Sequence, residues 1–358
     1  MAQRTAVVDF HRLTVAEVDR LCADAVAITF DVPPELRERY AFRAGQALTL
    51  RRRVDGRDER RSYSVCAPEG AALRIGVREV PDGMFSRWLV HDVRPGDLVE
   101  VGTPAGSFTP DGATPGHHVL VAAGSGITPV LSIAATLLRD PATTVTVLYG
   151  NRRTDTVMFA DELADLKDSA PARFELVHVL SREPRDAELF SGRLDTDRLR
   201  AVLALFRGFD EVDHWWLCGP FEMVAQTRKL LREQGVRPER VHRELFYVDD
   251  VPPPPAQHED PPVRGLTSAV TVVLDGRSTT LALPRDARIL DAAQRSRPDL
   301  PFACKGGVCG TCRAKVTAGK ARMLRNFALE ESEVDSGFVL TCQSLPVSEE
   351  LTVDFDAS

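Results

Sequence analysis

Cys304-Lys-Gly-Gly-Val-Cys309-Gly-Thr-Cys312, followed after 29 intervening residues by Cys342, decides the reading of the C-terminal part of the chain. The Cys-x4-Cys-x2-Cys…Cys spacing is that of plant-type 2Fe-2S sites, in which four thiolates hold the cluster. A loop wrapped that tightly around an anionic cluster must aim backbone N–H groups at sulfur, and Gly306, Gly307 and Gly310 permit the backbone angles this takes. Zinc is the competing metal, but four-cysteine zinc sites usually present two Cys-x2-Cys knuckles, and only Cys309-x2-Cys312 is found here. Unliganded buried thiols are the third reading. Four of the seven cysteines lie in the last 55 residues, a clustering that in a reducing compartment points to metal rather than disulfides.

Working back from this loop, Val251-Pro-Pro-Pro-Pro255 and the following Asp260-Pro-Pro262 cannot form helix or sheet interior, so 247–266 reads as a proline-rich linker. After it, Ala269–Leu274 and Thr279–Leu283 flank Asp275-Gly276 as a hairpin. Ile289–Arg295 reads as a helix, with strands near Arg313–Thr317, Phe338–Cys342 and Leu351–Phe355. The polarity is marked: 267–325 carries 11 Lys/Arg and 4 Asp/Glu, whereas 326–358 carries 8 Asp/Glu and no Lys/Arg. A salt-sensitive encounter with a partner is expected from it.

Before the linker the rhythm changes twice. Over the first 110 residues short β-like runs alternate with Gly, Pro and Asp turns, which suggests a small antiparallel barrel or sandwich. Beyond Gly116, strands alternate with helical segments, which predicts a parallel sheet covered by helices. The fold class expected is therefore multidomain: an antiparallel β-barrel over 1–112, an α/β parallel-sheet domain over 113–246, the linker over 247–266 and an iron–sulfur domain over 267–358.

Composition fits a folded protein, with 43% hydrophobic and 27% charged residues. The net charge of −7 includes 40 Arg and only 5 Lys, yet no basic stripe long enough to follow a nucleic-acid backbone occurs. No nucleic acid and no membrane are expected as partners, because apolar runs stay far below the length of a spanning helix. The N-terminus has no signal-peptide pattern, so a cytoplasmic location is expected.

Val119-Leu-Val-Ala-Ala-Gly124-Ser-Gly126-Ile-Thr128-Pro129 is a strand, a glycine turn and a helix start, and its N-terminus would favour an anion. It is not the Gly-x-Gly-x-x-Gly fingerprint, since Pro129 stands at the third glycine; a plain tight turn is the alternative. The next two strands end at Asn151-Arg152-Arg153 and Leu180-Ser181-Arg182-Glu183. Arginine and serine there suit a 2′-phosphate, whereas an NAD site would usually carry an acid. Solvated surface arginines are the bland reading. Arg61 and Tyr63 share one face of a strand, a cation beside an aromatic plate, as a phosphorylated ring cofactor needs, with ordinary cross-strand packing as the alternative for Tyr63. Gly83 and Ser86 precede a helical stretch that Ser86 could cap while receiving a phosphate, and a plain helix cap is the alternative. Cys218 ends a buried strand where open sheets bind ligands, and Cys22 and Cys66 read as small buried hydrophobes. The histidines show no metal-ligand spacing, and His117-His118 reads as a solvated strand start. No hydrolase elbow, His-Glu-x-x-His or Walker loop is present.

Arg61-x-Tyr63-Ser64, Gly83-x-x-Ser86, Gly124-x-Gly126-x-x-Pro129, Cys218-Gly-Pro220 and Glu244-x-Phe246, in this order, resemble the ferredoxin–NADP reductase superfamily. With the C-terminal plant-type ferredoxin domain, of β-grasp fold, the chain resembles the reductase components of multicomponent oxygenases. The likeness is strongest to the family of phenylacetyl-CoA epoxidase reductase subunits, through Tyr149-Gly-Asn-Arg152, Leu180-Ser-Arg-Glu183 and Gly337-Phe-Val-Leu-Thr-Cys-Gln343. The resemblance implies FAD, a 2Fe-2S cluster and NADPH as cofactors, and a terminal oxygenase as electron acceptor. It implies that Arg61 pairs with the flavin phosphate, Tyr63 stacks on the isoalloxazine, and Ser64 bonds near its N5. Gly83 and Ser86 would hold the pyrophosphate. Gly124, Gly126 and Thr128 would receive the nicotinamide end of the dinucleotide, Cys218 would lie against the nicotinamide, and Glu244 would complete the site beside Ser64. Arg152, Ser181 and Arg182 would take the 2′-phosphate, and Phe246 stands where chloroplast-type members carry the aromatic that covers the flavin. The reductase of a Rieske-type steroid hydroxylase, a stand-alone reductase and a non-enzymatic iron–sulfur module remain as alternatives.

Overall fold

The first two described strands, β1 (Phe10–Cys22) and β2 (Ala25–Asp31), are antiparallel and paired from Thr14–Asp31 to Cys22–Ala25, with Ala25 to Ile28 buried. The computed structural model describes residues 9–54, 57–81, 83–110, 115–206, 208–247 and 265–357. The chain divides into one unit within Asp9–Val248 and another within Asp249–Ser358. The linker expected over 247–266 lies, apart from its first residue and last two, outside the described residues.

In the first unit, β3 (Ala47–Val54), β4 (Arg57–Ser64), β5 (Leu73–Arg78) and β6 (Leu98–Gly102) join β1 and β2 in a six-stranded antiparallel sheet, with α1 (Met84–His91) between β5 and β6. The sheet order is β4-β3-β6-β1-β2-β5. Its two outer strands meet at a Val65–Ile75 bridge and a Cys66 N–H to Arg74 carbonyl bond of 2.9 Å, which closes the sheet into the expected barrel. Leu13, Ile28, Leu48, Leu50, Ile75 and Leu89 fill it.

The second half of this unit alternates strand and helix: β7 (His117–Ala123), α2 (Ile127–Leu137), β8 (Thr144–Asn151), α3 (Ala160–Ser169), β9 (Phe174–Leu180), α4 (Thr196–Phe206), β10 (His214–Pro220), α5 (Phe221–Glu233) and β11 (Val241–Tyr247). The strands form an all-parallel sheet in the order β11-β10-β7-β8-β9. Covered on both faces, such strands read as continuous apolar runs, and Val119–Ala122 and Trp215–Cys218 are fully buried. The barrel seats on this sheet through buried contacts: Ser132 Oγ donates to the Ala67 carbonyl at 2.6 Å. A Cβ on Gly76 of β5 would collide with Thr128 and Phe159.

The second unit is a mixed five-stranded sheet. β12 (Thr267–Leu274), β13 (Arg277–Pro284), α6 (Ile289–Ala293), β14 (Arg313–Met323), α7 (Glu331–Asp335), β15 (Phe338–Leu340) and β16 (Ser344–Asp354) follow in order, and the strands lie β13-β12-β16-β14-β15. Positive φ at Asp275 (53°) and Gly276 (67°) makes the predicted hairpin turn. Val270, Val272, Leu290, Leu340, Val353 and Phe355 form its core.

Candidate functional site

In the second unit the loop between α6 and β14 carries three of the expected ligands, and a single helical turn after β15 carries Cys342. Lys305, Gly307 and Gly310 take φ values of 51°, 81° and 70°, so the loop curls inward. The N–H groups of Gly306 and Cys309 then reach Cys304 Sγ at 3.3 and 3.4 Å. Cys304 faces Cys309, and Cys312 faces Cys342. A hydrogen bond from Cys309, with backbone N–H groups behind it, lowers the Cys304 thiol to about 6, while giving up that bond and burial push Cys309 up. Among the described residues no three His, Cys, Asp or Glu side chains converge on a single ion. Two facing thiol pairs are what a dinuclear cluster takes, two thiolates to each iron, so the donor set fits 2Fe-2S.

Two basic side chains beside the cysteine loop are paired locally. Lys305 Nζ lies 2.9 Å from Asp291 Oδ1, and Arg313 lies 3.0 Å from Glu333 and stacks 3.6 Å over Phe338.

In the first unit, register brings distant residues together. Cys218 on β10 lies between Ala122 on β7 and Glu244 on β11. Ser64, at the end of β4, donates through Oγ to Glu244 Oε2 at 3.1 Å across 180 positions of sequence. Glu244 keeps part of its surface open, yet dense protein around it raises its carboxyl to about 7, against the lowering effect of the Ser64 bond. Burial and the Glu244 charge push the Cys218 thiol well up, so it is a neutral wall rather than a nucleophile.

Gly126, ahead of α2, has no room for a side chain: a Cβ would strike the Cys218 carbonyl. Gly124 has φ 56°, and its carbonyl accepts from the buried Tyr149 hydroxyl at 3.0 Å. Thr128 is buried, with Oγ1 donating to the Ser125 carbonyl at 3.0 Å. These glycines form a backbone cradle beside Cys218 and Glu244, at the strand ends where open sheets take dinucleotides.

On the barrel, Tyr63 packs 6.2 Å from Phe85, and Arg61 Nη1 lies 3.1 Å from Glu59 Oε2 on the same face. Ser86 is not a helix cap: α1 starts at Met84 with Gly83 as N-cap, so Ser86 is already inside the first turn. Its hydroxyl accepts from the Val80 N–H at 3.0 Å and donates to the Gly83 carbonyl at 3.1 Å, and a Cβ on Gly83 would press on that hydroxyl.

Arg152, Ser181 and Arg182 meet at neighbouring strand ends, where the Arg182 N–H donates to the Arg152 carbonyl at 2.8 Å. Arg182 is exposed, while Arg152 Nη2 pairs with Asp24 of the barrel at 2.8 Å. Glu183 accepts from the Thr154 N–H and hydroxyl at 2.8 and 2.7 Å. Phe246 is half-buried and packs on the core of the nucleotide domain.

The sequence reading misplaced one pair: His117 and His118 are 6% and 1% exposed, not solvated. His118 accepts from Trp216 Nε1 at 3.2 Å and stacks with His214, so these rings are core. It also passed over Asn151, buried with neither amide atom bonded among the described residues, and Gln343, next to Cys342. A polar side chain directly beside a strand end or a ligand was the available signal.

A pyridine-nucleotide and flavin oxidoreductase joined to a 2Fe-2S ferredoxin is the class these features define. Family models agree: oxidoreductase FAD-binding domain over 12–109, oxidoreductase NAD-binding domain over 120–229 and 2Fe-2S iron-sulfur cluster binding domain over 272–347. The chain is 41% identical over 353 residues to one of the subunits of the 1,2-phenylacetyl-CoA epoxidase of Escherichia coli K12, covering 97% of this chain and 98% of that one. It is 33% identical to the 3-ketosteroid-9-alpha-monooxygenase ferredoxin reductase component of Rhodococcus rhodochrous, covering 96% of each. Phthalate dioxygenase reductase shares the fold, with TM-score 0.62 and 24% identity over 96% of this chain and 98% of that one. The chain belongs to the ferredoxin–NADP reductase superfamily, as an oxygenase reductase component with FAD-binding, NAD-binding and 2Fe-2S ferredoxin domains. Among the described residues no helix is long and apolar enough to cross a membrane.

Proposed function

We propose that this reductase draws electrons from NADPH and delivers them to the oxygenase component of a phenylacetyl-CoA epoxidase. The observation that carries the choice of partner is the 41% identity spread over 97% of the chain, ferredoxin domain included. When bound, FAD accepts a two-electron hydride and the cluster carries electrons singly to the acceptor.

The residues divide the work. Cys218 and the Gly124–Gly126 backbone give the nicotinamide a flat, uncharged seat beside Ser64, and Glu244 holds the Ser64 hydroxyl toward the same point. Tyr63 backs the flavin ring and Arg61 meets its phosphate, with Gly83 and Ser86 at the pyrophosphate. Thr128 fixes the turn that precedes α2. Arg152, Ser181 and Arg182 bind the 2′-phosphate, so NADPH is preferred over NADH. Phe246 borders the flavin face. Cys304, Cys309, Cys312 and Cys342 hold the cluster. The domains run over 1–112, 113–246 and 267–358, with 247–266 as the linker between them, and the protein works in the cytoplasm.

Reconstitution tests the partner. With NADPH and phenylacetyl-CoA, the catalytic components of an epoxidase of this type should turn over, while a Rieske-type 3-ketosteroid oxygenase should give little. The opposite result would reassign the partner to the steroid oxygenase that the 33% relative serves by its name.

A further inference from the structure

Gln343 sits one residue past Cys342 and is 1% exposed. Its Nε2 donates to the Lys305 carbonyl at 2.7 Å, across 38 positions of sequence. Lys305 is one of the few non-glycine residues with a left-handed backbone, at φ 51°. That conformation is unfavourable for a residue with a Cβ and persists only where its surroundings hold it. The peptide whose carbonyl Gln343 grips has the Gly306 N–H at its other end, and that N–H donates to Cys304 Sγ at 3.3 Å. Gln343 is itself fixed: its backbone carbonyl accepts from the Leu324 N–H at 2.7 Å, and a Cβ on Gly307 would press on its Cγ. The amide orientation is set as well, since the opposite flip would aim Oε1 at the Lys305 carbonyl.

We propose that Gln343 is a positioning residue for the cluster: through the Lys305–Gly306 peptide it keeps an N–H aimed at the Cys304 sulfur and so raises the cluster's reduction potential. Hydrogen bonds to sulfur stabilise the extra negative charge of the reduced cluster, and a peptide free to turn loses that bond. A donor on the carbonyl also polarises the N–H at the far end. The inference rests on the 2Fe-2S assignment, but concerns this chain's own loop.

The test is a redox titration of the full chain carrying Gln343→Leu, read by cluster absorption and electron paramagnetic resonance, with amide exchange of the cluster-free form as a second readout. At the parent's midpoint the variant should be reduced about three- to tenfold less, with altered cluster resonances, and its Gly306 amide should exchange about tenfold faster or more. In a Lys305→Gly background, where the left-handed angle is free of cost, the same substitution should shift the titration less. An unchanged titration together with unchanged exchange overturns the proposal, as does an equal shift in both backgrounds. If Gln343→Leu holds no cluster, the exchange comparison alone decides: parent-like Gly306 exchange refutes it. A parent chain with no 2Fe-2S spectrum would instead refute the cluster assignment, a separate failure.

Discussion

The four-cysteine loop and the proposed flavin–nicotinamide junction are built in opposite ways. Three of the four cluster cysteines fall within nine consecutive residues, Cys304 to Cys312, and their spacing is imposed by the cluster itself. The junction gathers Ser64 from the barrel, Gly126 from the turn before α2, Cys218 from β10 and Glu244 from β11, and it exists only once two domains have folded together. A site made of one loop should fail all at once, whereas one assembled by register should fail by degrees.

The most damaging change should therefore fall in the loop. Cys309→Ser removes one of four thiolates, so visible 2Fe-2S absorption and electron paramagnetic resonance should be lost, with NADPH–ferricyanide activity kept within about twofold. If ferricyanide activity collapsed with the cluster signal, the two sites would not be separable.

Next comes Gly126→Ala, which drives a methyl group into the Cys218 carbonyl. A displacement near 1 Å of a reacting group can cost about a hundredfold, so rapid-mixing rates of flavin reduction by NADPH should fall roughly 10- to 100-fold while FAD content holds. A parent-like rate would remove the glycine turn from the nicotinamide seat.

Arg182→Ala should lower kcat/KM for NADPH by about one to two orders of magnitude, the worth of a lost charge-assisted bond to phosphate, and change NADH efficiency less than about twofold. Equal losses for both nucleotides would show that Arg182 supports the strand end rather than the 2′-phosphate.

The smallest effect is electrostatic. The Glu244 carboxyl is raised to about 7 in the fold, chiefly by burial, above its ordinary 4.5. A raised carboxyl contributes stability below about pH 4.5 that is lost as pH rises through about 7. Glu244→Gln stays neutral, so its thermal midpoint should fall less than the parent's between pH 5 and pH 8. Parallel curves would mean that Glu244 is ionised throughout.

This contrast also explains what the sequence could tell. The 2Fe-2S domain was legible because cluster chemistry fixes the cysteine spacing, and the hairpin at Asp275-Gly276 because only certain residues accept its angles. The parallel sheet was legible from strands that alternate with helical segments, as β7 does with α2 and β8 with α3. The Ser64–Glu244 bond was not, since no local pattern encodes a contact between residues 180 positions apart; only the order of short motifs pointed to it. His118 was read as solvated because a histidine at a strand start carries no sign of the Trp216 ring that will cover it. Ser86 was misread as a cap because helix starts shift by a residue or two, and the first turn began at Met84 instead.

The central claim is that the two units work in series, the first taking hydride from NADPH and the second passing electrons on. Truncating the chain after Phe246 tests it most directly, by measuring NADPH–ferricyanide reduction and NADPH-driven oxygenase turnover on the same preparation. The account predicts that the truncated chain binds FAD and reduces ferricyanide near the parent rate, and that oxygenase turnover falls to background. Oxygenase turnover as fast as that of the intact chain would contradict it, because the cluster would then lie off the electron path.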